Sequence, residues 1–271
     1  MKESNSAIAP WDKVNIARHP NRPNSLFYIK ELFTDFTELS GDRFFGEDSS
    51  ITGGIALFRG RPVTVIAQVK GKTTEENIER NFGMTNPEGY RKALRLARQA
   101  QKFKRPIITF IDTPGAYPGI GAEERGQSQA IASNLMEFME ISVPIISIVI
   151  GEGGSGGALA LSVSDHIIMM EHSIYSILSP EGFASILWKD SSRAPDAAQL
   201  MKLTAQDLYQ YKIIDTIIKE PVGGIHTRPT YAIGQLTEVL NRQLTILSKQ
   251  KKPSLLENRY KKFRGLGRDF T

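Results

Sequence analysis

The chain has 271 residues, 40% hydrophobic and 23% charged, a composition that suits a globular protein with a sizeable core. It contains no cysteine, which excludes disulfides, thiolate catalysis and a zinc ribbon within this chain. The net charge of +5 favours anionic partners such as phosphates, CoA, nucleic acid or an acidic protein, without choosing among them.

The opening MKESNSAIAPWDKV has no apolar run, so no signal peptide is expected. A polar, proline-punctuated stretch, ARHPNRPNS, leads into LFYIKELFTDFTEL. There Leu26, Ile29, Phe33, Phe36 and Leu39 lie near helical spacing and predict one helix. ITGGIALFRGRPVTVIAQVKG reads as a hairpin, with β-rich runs on either side of Arg59-Gly60-Arg61-Pro62. The next helix is announced by Asn86 as N-cap and Pro87 as first residue, with Tyr90, Ala93, Leu94, Ala97 and Ala100 on one face. Its other face carries Arg91, Lys92, Arg95, Arg98 and Lys102 and is expected to be solvated rather than to guide CoA phosphates or an acidic partner domain.

Beyond Pro106 a pattern repeats. IITFID is a strand, TPGAYPGIG a turn and AEERGQSQAIASNLMEFME a helix; then IISIVI, GEGGSGG and ALALSV follow in the same order. Such stacked strand–turn–helix units place functional turns at the carboxyl ends of the strands. HIIMME and SIYSIL read as further strands and PEGFASILW as a helix. TAQDLYQY opens on a capping Thr204, and Ile233, Leu236, Leu240, Leu244 and Leu247 mark an amphipathic helix before a basic tail. Residues 143–163 carry one charge in 21 positions, but their glycines and the Ser-Asp-His that follows indicate a buried strand and turn, not a membrane span.

Five glycines fall within the seven residues 151–157, and four templates compete for them. Gly151-x-Gly153-x-x-Gly156 with Glu171 downstream matches a dinucleotide fingerprint, yet only ALALSV separates the turn from the next strand. Gly153-x-Ser155-x-Gly157 matches a nucleophile elbow, with Asp215 and His226 in the right chain order but in segments without turn signals. Asp112–Gly115 resembles a GTPase switch, but Ile66 stands where a phosphate-cradling loop ending at Lys72 needs a glycine. The fourth template is an oxyanion site: adjacent glycines at the first turn of a helix expose N–H groups to a developing negative charge. His19, His166, His172 and His226 share no ligand spacing, so no metal is assigned.

RNFGM (80–84), PEGYRKALRL (87–96), PIITFIDTPGAYPGIGAEERGQS (106–128), GEGGSGGALA (151–160) and SPEGFASILWKD (179–190) together resemble the carboxyltransferase alpha subunits of bacterial-type acetyl-CoA carboxylase. The likeness runs from ARHPNRP at 17 to NRYKKFRGLG at 258.

The resemblance implies an α/β fold of the crotonase-like (ClpP/crotonase) kind, a ββα superhelix with helical N- and C-terminal extensions. On that reading residues 1–40 are an N-terminal helical segment, 41–225 the carboxyltransferase core and 226–271 C-terminal helices, all effectively one domain. It further implies transfer of a carboxyl group from carboxybiotin to acetyl-CoA, forming malonyl-CoA for fatty acid synthesis. The partners implied are a beta subunit of the same fold in an α2β2 assembly, the biotin carboxyl carrier protein and an ATP-using biotin carboxylase, in the cytoplasm. Neither a membrane nor a nucleic acid is required.

By resemblance the N–H groups of Gly156 and Gly157 form an oxyanion hole, and Gly153 and Gly154 shape the loop. Asp112, Pro114, Gly115, Tyr117, Pro118 and Gly119 belong to the carboxybiotin pocket. Glu152 is expected to point away from the anion and to fix the loop. The other readings of this fold are an acyl-CoA hydratase, hydrolase or decarboxylase active alone, and a scaffold subunit without catalysis.

Overall fold

The computed structural model describes residues 8–268. Met1–Ala7, half of the stretch read for a signal peptide, and Asp269–Thr271 lie outside the described residues. Helices α1 (Pro10–Ala17) and α2 (Ser25–Leu32) lead into strand β1 (Thr34–Glu38), then β2 (Ile51–Phe58) and β3 (Arg61–Gln68). Helices α3 (Thr74–Glu79) and α4 (Pro87–Lys102) precede β4 (Ile107–Thr113), α5 (Ile120–Glu124), α6 (Gln127–Glu140), β5 (Ile145–Gly154) and α7 (Ser155–Ser162). Strands β6 (His166–Met170) and β7 (Ile174–Ser176) follow, then α8 (Pro180–Trp188), α9 (Ala194–Met201), α10 (Ala205–Gln210), β8 (Thr216–Ile218), α11 (Ile233–Ser248) and α12 (Lys252–Gly265).

One mixed sheet runs in the order β1-β2-β3-β4-β5-β6-β8, with β7 added to the end of β5. The hairpin β2–β3 is antiparallel and closes at Arg59 and Gly60, both with positive φ (50° and 77°), the geometry a two-residue turn demands. From β3 onward all neighbours are parallel. The central strands are apolar on both faces, as a sheet covered by helices on both sides requires. One buried cluster joins Tyr28 of α2, Phe110 and Ile148 of the sheet and Leu236, Leu240 and Leu244 of α11. A second packs Ala93 and Leu96 of α4 with Ile111, Phe138 and Leu161.

Three local expectations change. The single helix predicted over 26–39 stops at Leu32: Phe33 is extended (φ −127°), and Thr34, Thr37 and Glu38 pair with β2. An open sheet edge overrides the helical period there. The helix predicted from Ala122 to Glu140 is broken at Gly126, whose φ of 84° caps α6. The basic face of α4 is not simply solvated: Lys92 is fully buried, bonding Ile51 O at 2.8 Å and pairing with Glu47. The same helix uses Arg95 to hold the carbonyls of Leu39, Ser40 and Gly41.

The polar ARHPNRPNS stretch is also largely interior. Arg22 is buried, donating to Ile150 O at 2.6 Å and forming a two-point pair with Glu220 at 2.6 and 2.9 Å. A planar guanidinium matched to a carboxylate in this way ties the amino-terminal segment beneath β5.

Candidate active site

The glycine-rich turn sits where β5 passes into α7, beside the turn that follows β4. The two strands pair evenly from Ile107↔Ile145 to Ile111↔Val149, and then Thr113 pairs with Gly153. Two steps on β4 therefore match four on β5, and the surplus lets Gly151 arch over the Asp112 carboxylate. A Cβ at Gly151 would stand 2.4 Å from Asp112 Oδ1. That same oxygen accepts from the Glu152 N–H at 3.0 Å.

Helix α7 starts at Ser155, which has a φ of 51°, and its first turn has no side-chain cap. The N–H groups of a first helical turn have no partner within the helix. Those of Gly156 and Gly157, second and third in α7, thus stand at the positive end of the helix dipole. The two glycines differ in their surroundings. Gly156 is half-buried, and a Cβ there would meet nothing closer than Ile131 Cγ2 at 3.6 Å. Gly157 is buried against the neighbouring turn: a Cβ would come within 2.7 Å of Ala116 N and Gly115 C. Gly154 is equally tight, 2.2 Å from Pro114 O by the same measure, so the two turns meet backbone to backbone.

The 113–119 turn is held from outside. Thr113 Oγ1 bonds Gly83 O at 2.6 Å, and the side-chain amide of Gln127 donates to Thr85 O and Tyr117 O at 2.8 and 2.9 Å. Pro114 and Pro118 are exposed, whereas Gly115, Tyr117 and Gly119 are half-buried, with the Tyr117 ring lying over Gly119. Gly153 backs onto the ring of Tyr175. Asp112, expected on the pocket wall, is turned beneath the turn into an ion network.

That network centres on Lys70, whose Nζ lies 3.0 Å from Asp112 Oδ1 and 2.7 Å from Glu152 Oε2. Arg18 takes the other Glu152 oxygen at 2.6 Å and reaches Glu181 of α8, also at 2.6 Å. Burial alone would raise the Glu152 pKa; the two cations outweigh it and hold the carboxyl below its usual range. Lys70, desolvated but facing both carboxylates, is held above the usual lysine value. Glu152 is thus paired and serves to fix the loop.

Sequence reasoning passed over Lys70 and Gln68. Gln68 is fully buried; its amide donates to Gly157 O at 2.8 Å and accepts from the Asp112 N–H at 3.2 Å. Gln68 ends β3 and Lys70 follows two residues on; they grip opposite ends of the glycine turn, and the period of the strand carried past its end could have pointed to them. Gln68→Met strands both backbone groups. It is expected to cost about 1–3 kcal/mol in urea unfolding and to lower turnover more than substrate affinity. Unchanged stability and turnover would show that the clamp is idle.

Neither partner of a serine triad reaches Ser155. Asp215 pairs with Lys262 and accepts from the Ile167 N–H at 2.7 Å, while His226 stacks on His19 with ring centroids 3.7 Å apart. Among the described residues no group of His, Cys, Asp and Glu is placed to hold a metal, and no helix is long and apolar enough to cross a membrane.

An uncapped helix start with two adjacent glycines beside a second turn can stabilise negative charge that develops at its N–H groups. The sequence matches the family described as acetyl co-enzyme A carboxylase carboxyltransferase-like over residues 1–267. The chain belongs to that family. An acetyl-coenzyme A carboxylase carboxyl transferase subunit alpha from Clostridium perfringens is 62% identical over 256 residues, 94% of each chain. The subunit of that name from Alkaliphilus oremlandii is 58% identical over 267 residues, 98% of this chain and 84% of that one. The chain is accordingly a transferase subunit of the carboxyltransferase alpha type.

Solved structures agree on the fold, which is the crotonase-like carboxyltransferase fold. A transcarboxylase 12S chain superposes with a TM-score of 0.67 at 17% identity, over 90% of this chain and 46% of that one. A Pseudomonas malonate decarboxylase hetero-dimer chain gives 0.63 at 17% identity, over 76% of this chain and 85% of that one.

Proposed function

We propose that this alpha subunit provides the carboxybiotin half of a carboxyl-transfer site, with acetyl-CoA as acceptor and malonyl-CoA as product. The observation that carries the reading is the uncapped first turn of α7, where the Gly156 and Gly157 N–H groups have no partner within the helix. Carboxybiotin, when bound, would supply the transferable N-carboxyl group and a ureido oxygen able to take up the charge left as that group departs. The N–H groups of Gly156 and Gly157 stabilise this charge, and the α7 dipole adds to their field. Gly153 and Gly154 bring the turn close to its neighbour. Pro114, Gly115, Tyr117, Pro118 and Gly119 make the wall on which the bicyclic ring rests. Asp112 works from beneath, through the Glu152 N–H. A Cβ at Gly156 would make only an ordinary contact, 3.6 Å from Ile131, so the backbone there is not wedged as it is at Gly157.

A partner is supported by the apolar surface near this turn. Ile177, Ile186 and Leu187, just before and within α8, are 77%, 68% and 55% exposed, and α8 is tied to the glycine turn through Arg18. In our reading a beta subunit in an α2β2 assembly covers them and brings acetyl-CoA, excluding water from the site. The biotin carboxyl carrier protein and an ATP-using biotin carboxylase complete a cytoplasmic complex for fatty acid synthesis. Residues 1–40, 41–225 and 226–271 act as one carboxyltransferase domain, since Tyr28, Phe110 and Leu236 share a core.

The test is carboxyl exchange between malonyl-CoA and biocytin, run with the chain alone, with its beta partner, and with the partner and Gly156→Pro. Proline removes one N–H at a position where the first helical turn tolerates it. Because Ser155 must adjust ahead of the proline, circular dichroism accompanies the assay. Exchange only with the partner, lost in a folded variant, is expected. Full exchange by the variant, or acyl-CoA turnover by the chain alone, would overturn the reading.

A further inference from the structure

The faces of α4 and α6 that meet the 39–46 segment enclose a cleft of about 640 Å³, away from the glycine turn. Its walls carry Arg43, Arg91, Arg95, Arg98 and Arg125 but only two carboxylates, Asp42 and Glu137. Both carboxylates are taken. Arg91 Nε bonds Asp42 at 2.8 Å, and Arg98 grips Glu137 with two nitrogens. Arg125 is matched by Glu88 at 2.9 Å. Arg95 and Arg43, by contrast, have backbone carbonyls as acceptors. Burial first, and then the nearby Arg43 charge, hold the Arg95 guanidinium below its ordinary pKa. Nη2 of Arg91 is buried and lies 3.6 Å from a Glu88 carboxylate oxygen, so Arg91 is committed to Asp42 and Glu88. On the rim Phe44 is 85% exposed, with the Arg91 guanidinium 5.2 Å from its ring centre.

Converging guanidinium forks with unused donors suit phosphate oxygens, and an exposed flat ring suits a stacked base. A cleft of this size lies within the range of small-molecule sites. We infer that it binds an adenosine carrying two or more phosphates, the phosphates on Arg43 and Arg95 and the base on Phe44. That chemistry is shared by a free nucleotide and by the 3′-phosphorylated ADP end of CoA. The site is independent of the oxyanion reading. Ile131 of α6 faces Gly156, whereas Gln129 and Ser133 of the same helix line the cleft.

Calorimetric titration of the full chain with ADP, adenosine 3′,5′-bisphosphate, CoA and inorganic pyrophosphate tests this. Saturable binding is expected, weakened about tenfold or more by Arg43→Glu, the loss of one charge-assisted contact to phosphate. Arg43 is exposed, so this variant should fold. Phe44→Ala should weaken the nucleosides several-fold and leave pyrophosphate unchanged. CoA and the bisphosphate binding far better than ADP identifies CoA as the source; ADP binding as tightly identifies a free nucleotide. No saturable binding, or affinities that Arg43→Glu leaves intact, would overturn the proposal. Nucleoside affinity unmoved by Phe44→Ala overturns the base contact.

Discussion

Gly157→Ala is expected to lower carboxyl exchange by about 10²–10³-fold, the range for losing an oxyanion donor, whereas Gly156→Ala leaves the fold intact. The two residues are adjacent and chemically identical, so only their surroundings separate them. A methyl at 157 would lie 2.7 Å from Ala116 N and Gly115 C and 3.0 Å from Tyr90 Oη. Two of those contacts are backbone, so relief requires the first turn of α7 to back away from the 113–117 turn, carrying its N–H groups out of alignment. A methyl at 156 meets an ordinary contact at 3.6 Å and keeps its N–H. Its thermal stability should stay within about 0.5 kcal/mol of the parent. Turnover numbers measured with the partner, beside melting curves, check the contrast. If both alanine variants exchange carboxyl groups equally well, the turn contact does not position the donors.

Lys70→Met should produce the largest loss of stability at the site, about 3–5 kcal/mol, because a cation is withdrawn from between two nearly buried carboxylates. Asp112 and Glu152 side chains are 9% and 10% exposed, and both bond Lys70. Adding Glu152→Gln to that variant removes one stranded charge and should restore part of the loss. The pH dependence has a definite sign. The Glu152 carboxyl is held below its unfolded value, so its contribution is fully present above the unfolded pKa and fades as pH falls through the folded one. Without Lys70 the folded value rises, and the acid limb of the stability curve moves towards neutrality. Urea unfolding at several pH values between 3 and 7 reads both effects. A Lys70→Met chain as stable as the parent, with an unmoved acid limb, would show that Arg18 alone neutralises Glu152.

Where a local signal dominated, it was read correctly. Pro87 does open α4 and Thr204 does cap α10 through a reciprocal capping box with Asp207. The hairpin expected about residues 59–62 is present, but only Arg59 and Gly60 form its turn, Arg61 and Pro62 already belonging to β3. Each depends on backbone geometry that a few consecutive residues dictate. Asn86 is more instructive. It stands at the N-cap, but its side chain accepts from Arg125 at 3.3 Å rather than from the helix, because a distant charged donor competes for it. Lys92 and Arg98 share one helical face in the sequence, yet one is fully buried and the other's side chain is 60% exposed. What decides between them is the 39–51 segment folded over one end of α4, which helical period alone does not reveal.

The same division holds at the site. That a strand would run into closely packed glycines and then a helix follows from the residues in order, since apolar β-formers, glycines and small helix-formers each admit few backbone states. The family resemblance was legible too, because long blocks stand in sequence. Which glycine is wedged and which is open was decided by the turn after β4, about forty residues earlier in the chain. The grip of Gln68 and Lys70 was decided by parallel pairing of β3 with β4 and β4 with β5, which brings residues 44 and 82 positions apart into hydrogen-bond range. Short-range conformational preference is written residue by residue. Contacts across a parallel sheet exist only once the crossovers have closed, and these contacts hold the glycine turn in place.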